Sequence, residues 1–105
     1  LLEAGFTGVV AAGDVMALGA IAAVRSWGAE VPDQVSVVGL DGTPMTTLTS
    51  PALTTMRQPV NRMAAAVATS LVTQIQGETV SPAPQLFQPE LVAGASVGPA
   101  AVPVV

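Results

Sequence analysis

Several residue types are missing from this chain, and each absence closes a route to function. There is no cysteine, so disulfides and thiolate chemistry are excluded, and no histidine, which removes the commonest general base and metal ligand. Lysine is absent as well. The only cations are Arg25, Arg57 and Arg62, scattered through the chain and outnumbered to a net charge of −4. No basic stripe exists to neutralise phosphates, so this chain by itself is expected to be a poor nucleic-acid binder. Charge of any kind is scarce: 10% of residues, against roughly a quarter in an ordinary soluble domain, while 50% are apolar. No apolar run reaches the roughly 18 residues that a membrane span requires, because glycine, proline or polar residues interrupt each candidate. No G-x-S-x-G elbow, P-loop or carboxylate cluster with metal-ligand spacing is present. The nearest thing to a phosphate loop, GLDG, lacks the lysine and the glycine spacing. An enzyme is therefore not expected, and neither is a cofactor.

The 105 residues fit one domain of ordinary size. The apolar excess needs cover, so the chain is expected to belong to a larger domain, an obligate oligomer, or both. Its first residues show no basic-then-apolar layout of a secretory signal.

The remaining residues fall into alternating elements. Leu1 to Gly5 reads as the tail of a helix ended by glycine. Phe6 to Ala12 is a short strand-like run closed by Gly13 and Asp14, and Asp14 is placed to cap the helix expected over Val15 to Trp27. Gly19, costly inside a helix, should mark a close backbone approach. Gly28 ends that helix. Val35 to Leu40 is a β-branched strand bounded by turn residues, expected as the inner strand of a parallel sheet. Strand, helix and strand within about 35 residues make a βαβ unit.

Asp41 stands at the carboxyl edge of that second strand, where open α/β sheets bind ligands, although Asp-Gly is also a common turn dipeptide. A loop follows to Pro51, then an extended LTTMR segment. A second helix is expected over 59–76, with Val60, Met63, Ala64, Val67, Leu71 and Ile75 forming one apolar face suited to core packing. Gln85 to Val92 reads as one or two short strands broken at Pro89, and residues 96–105 as a disordered tail.

Four segments, in order, carry a resemblance. AAGDVMALGAI is similar to A-x-N-D-x-M-A-x-G-A, VPDQVSVVGLDG to V-P-x-D-V-S-V-x-G-F-D-D, and PALTTMRQP to P-x-L-T-T-x-x-Q; PELV matches a late P-x-L-V strand. Together they resemble the carboxyl-terminal part of the lactose-repressor/galactose-repressor (LacI/GalR) type of regulators. That resemblance implies an α/β, periplasmic-binding-protein-like type I fold with a parallel-sheet lobe, present here as a partial domain. Residues 1–95 would be the last part of an effector-binding domain: 1–54 and 85–94 in its second lobe, and the helix at 59–76 belonging to the first.

The function implied is effector sensing and dimerisation in a cytoplasmic transcriptional regulator. A small sugar- or nucleoside-like effector would bind in the cleft, and operator DNA would be bound by a separate helix-turn-helix. Asp41, Gln58 and Met63 match family positions that line the cleft. Gly13 stands where the family has a cleft-facing asparagine, and Gly42 where a second aspartate is common. Met16, Ile21, Met45 and Leu48 match the dimer surface. The alternative in the same fold is a solute-binding protein of a sugar transporter, for which a signal peptide rather than a helix-turn-helix would precede this segment.

Overall fold

The computed structural model describes residues 5–100. The expected helix tail at residues 1–4 and the last five residues of the expected tail lie outside them. The chain divides into two compact units: one runs to Arg57 and resumes at Leu91, and the other is Gln58–Glu90.

The first unit is built on a sheet of order β1-β2-β3-β4, comprising β1 (Gly8–Val10), β2 (Ser36–Asp41), β3 (Thr54–Arg57) and β4 (Glu90–Val92). β1 pairs parallel to β2, with Val9 opposite Val37, and β2 pairs parallel to β3, with Val38 opposite Thr54 and Asp41 opposite Arg57. The β-branched run is thus the inner parallel strand expected. β1 and β2 are joined by helix α1 (Asp14–Ser26), whose Ala17, Ile21 and Val24 recur at helical spacing and are buried. They pack with Ala11, Val31, Val35, Val37 and Leu53 into the core of the unit. Each fully buried valine, leucine or isoleucine side chain there contributes about 1.5–3 kcal/mol.

Three local expectations are corrected. Asp14 is the first residue of α1 rather than its cap; Gly13 holds the cap position, and no side chain caps the helix. Gly19 is exposed, with nothing within 4 Å of where a Cβ would stand, so no close backbone explains it. The tail expected to be disordered from residue 96 is docked at its start. The Ser96 hydroxyl is fully buried, donating to the Val37 carbonyl at 2.6 Å and accepting the Thr54 amide at 2.8 Å, while the Ser96 carbonyl accepts the Val37 amide. Ser96 fills the edge of β2 before β3 begins, which satisfies backbone groups that would otherwise be buried unpaired.

The second unit contains α2 (Val60–Ile75), preceded by Pro59 at its cap. No residue of α2 is buried. The face expected to pack in a core, including Val67, Leu71 and Ile75, is exposed. Arg62 lies over the Phe87 ring, 5.7 Å from its centroid, a cation–π contact between the helix and the segment that follows it. Gln85 to Phe87 form no strand; only β4 does. Among the described residues no helix is long and apolar enough to cross a membrane.

Candidate functional site

The carboxyl ends of β2 and β3 and the amino end of α1 meet at one edge of the first unit. Parallel pairing sets this edge, because strands running the same way deliver their ends to the same side. Asp14 and Asp41 both belong to it, and their surroundings differ sharply.

Asp14 is 1% exposed. Its Oδ2 accepts the Thr43 amide and the Thr43 hydroxyl, both at 2.8 Å, and its Oδ1 accepts the Thr55 hydroxyl at 2.6 Å. Burial pushes the carboxyl up, but hydrogen bonds from the Thr55 hydroxyl and the Thr43 amide and hydroxyl, with the Gly42 amide close by, outweigh it, and Asp14 is held below the ordinary aspartate range. Its place in the first turn of α1 also favours the anion. Gly39 of β2 makes room for this carboxylate: a Cβ there would stand 2.5 Å from Asp14 Oδ1 and 2.9 Å from a Leu53 methyl. With its lone pairs directed at internal donors, Asp14 is not a ligand contact.

Asp41 is exposed, opposite Arg57 in the register of β2 and β3. It is the one described non-glycine residue at positive φ, 122°. Such a backbone costs about 1–3 kcal/mol and persists only where the surroundings enforce it. An ionised carboxylate on the ligand edge of a parallel sheet can accept two neighbouring hydroxyl or amine donors at once. Gly13 is brought beside it: a Cβ at Gly13 would lie 3.5 Å from Asp41 Oδ2, an ordinary contact, with no other atom nearer. A Cβ would fit there, so glycine at 13 is an opening rather than a steric necessity. Gly42 is the opposite case. Its φ is +74°, and a Cβ would come within 2.7 Å of the Arg57 Cα, so this turn admits no side chain.

Gln58 and Met63, both half-buried, fall in the second unit, Gln58 just before α2 and Met63 in its first turn. Of the residues matched to a dimer surface, Met16 is 63% and Leu48 86% exposed, and Met45 is also exposed. Ile21 is not. It is 5% exposed and sits in the core, because the helical period places it with Ala17 and Val24 on the face that covers the sheet. Thr43, Thr55 and Gly39 carry much of the site's order and were not singled out from the sequence. A threonine distant in the chain gives no local sign that it will meet Asp14.

Residues 3–97 match the family model of the periplasmic binding protein-like domain. The chain is 49% identical over 92 residues to an HTH-type transcriptional regulator from the aml 5′ region of Streptomyces limosus, covering 88% of this chain and 26% of that protein. It is 46% identical over 94 residues to the HTH-type transcriptional regulator MalR of Streptomyces coelicolor, covering 90% and 27%. Among solved structures, the transcriptional regulator CelR in complex with cellobiose superposes with a TM-score of 0.83 at 33% identity, covering 90% of this chain and 29% of that one. The chain thus spans about a quarter of the length of the curated relatives it matches.

Proposed function

We propose, for a chain that belongs to the periplasmic binding protein-like domain family and matches the effector-binding region of LacI-type transcriptional regulators, that it supplies one wall of an effector cleft and part of a self-association surface. The effector is sugar-like, in keeping with the cellobiose held by CelR. Operator DNA is contacted by a helix-turn-helix elsewhere in the whole protein, since three scattered arginines give this chain no surface for it. The observation that carries the reading is Asp41, an exposed carboxylate at the ligand edge of the sheet in a strained backbone, at the aspartate position of the matched motif.

Gln58 and Met63 are proposed as effector-lining residues on the motif match alone. Met16, Met45 and Leu48 are proposed for a homodimer, because exposed apolar side chains on a chain this poor in charge call for a partner. The effector acts by shifting a population: contacts that favour a closed cleft change the dimer's geometry and so its affinity for DNA. The relatives named above are transcriptional regulators, which favours this reading over a transport protein.

The test is Asp41→Ala in the intact regulator. Loss of two charged hydrogen bonds lowers effector affinity about 30-fold or more by calorimetry, while operator binding without effector is unchanged. Unaltered effector affinity removes Asp41 from the site.

A further inference from the structure

Asp14 is a desolvated carboxylate beside the candidate site, and burying one is costly unless it is fully hydrogen-bonded. Its partners sit at telling positions. Thr43 lies two residues after Asp41, and Thr55 is on β3, opposite Gly39 and two residues before the Arg57 that faces Asp41. The Thr55 hydroxyl donates to Asp14 Oδ1 and at the same time accepts the Gly42 amide at 3.3 Å. Both residues that follow Asp41 are therefore tied, one through Thr55 and one directly, to a single buried carboxylate. Asp41, immediately before them, is the residue with φ of 122°.

We infer that Asp14 is a positioning residue: through Thr55 and Thr43 it clamps the turn after β2 and holds Asp41 in its left-handed backbone, presenting the Asp41 carboxylate beside Gly13. Relaxed to ordinary strand geometry, Asp41 would redirect its side chain away from that opening. The consequence for ligand binding rests on the reading of Asp41 as an effector contact; the clamp does not.

The experiment uses the intact regulator with three substitutions: Thr55→Val, which keeps the shape and removes the hydroxyl, Thr55→Ser, which restores it, and Asp14→Asn, which cannot accept donors on both sides. Crystal structures give the φ of Asp41, and calorimetry gives affinity for neutral sugars (cellobiose, maltose, lactose and ribose). Asp41 is expected to move to negative φ in Thr55→Val and Asp14→Asn and to keep positive φ in Thr55→Ser. Affinity for any sugar that binds the unaltered protein falls about tenfold in Thr55→Val and is recovered in Thr55→Ser. Positive φ retained in both Thr55→Val and Asp14→Asn overturns the clamp. A changed φ with unchanged sugar affinity upholds the clamp and instead removes Asp41 from the effector site. Should Asp14→Asn fail to fold, the Thr55 pair decides the question alone.

Discussion

The two helices are built from similar material and end differently. α1 and α2 are both rich in alanine and valine with apolar residues at helical spacing. α1 buries Ala17, Ile21 and Val24 against a sheet; α2 buries nothing, and its Val60, Val67, Leu71, Val72 and Ile75 stay exposed. Isolated helices of about this length are marginal in water, since most helical stability comes from packing an amphipathic face. Periodicity therefore says which face needs a partner and not whether the same chain supplies it. In α1 the partner follows within the βαβ unit. For α2 we propose that the partner is the first lobe of the whole domain.

The sharpest way to break this contrast is in the core of the first unit. Leu53 is almost fully buried there. Leu53→Ala should cost about 3 kcal/mol in urea unfolding, and a loss below about 1 kcal/mol would mean that the unit is not held by that core. Asp14 gives the next effect. Asp14→Asn leaves donors on one side without an acceptor and should cost about 2 kcal/mol at neutral pH. The folded carboxyl is held below its ordinary range, so the unfolded chain takes up a proton at higher pH than the folded one. Its contribution is complete above the ordinary aspartate value, about 4, and is lost as pH falls through the lowered folded value. The gap between the unaltered chain and Asp14→Asn should therefore narrow in unfolding experiments stepped from neutral to acid. A gap that stays constant would remove the ionised carboxylate as its source.

What was legible in the sequence follows the range over which each feature is determined. β2, the parallel βαβ unit and the glycine stop at Gly28 are set by neighbours a few residues apart, and they stand where the pattern put them. The position of Asp41 was legible because an acid at the end of a buried strand falls at the carboxyl edge of the sheet whatever the rest of the chain does. Ile21 was misplaced because a match to a family surface does not say which side of a helix faces the sheet; the spacing from Ala17 to Val24 does. Asp14 was misread as a cap because capping is local, whereas its partners are Thr43 and Thr55, 29 and 41 residues away. At Gly42 the resemblance shows only a missing side chain, and the crowding Arg57 backbone that excludes one comes from a strand 15 residues on. Ser96 escaped the sequence for a similar reason: a hydroxyl in a small-residue tail gives no hint that it completes the edge of β2.

The smallest expected effect sharpens the comparison most. Leu71 lies on the open face of α2. Removing its side chain in the 105-residue chain takes nothing out of a packed environment, and leucine and alanine are both good helix formers. Leu71→Ala should therefore change stability by less than about 0.5 kcal/mol in this chain. If the face is covered in the whole protein, the same substitution there creates a cavity and costs about 3 kcal/mol. Unfolding measurements on both proteins separate the possibilities. A negligible effect in both would mean that the apolar face is solvent-exposed by nature, and the proposal that α2 packs on a first lobe would fail. A large effect already in the 105-residue chain would mean that α2 finds cover within it, and the contrast between the helices would disappear. A loss confined to the longer protein would identify α2 as half of an interface whose other half is encoded outside these residues.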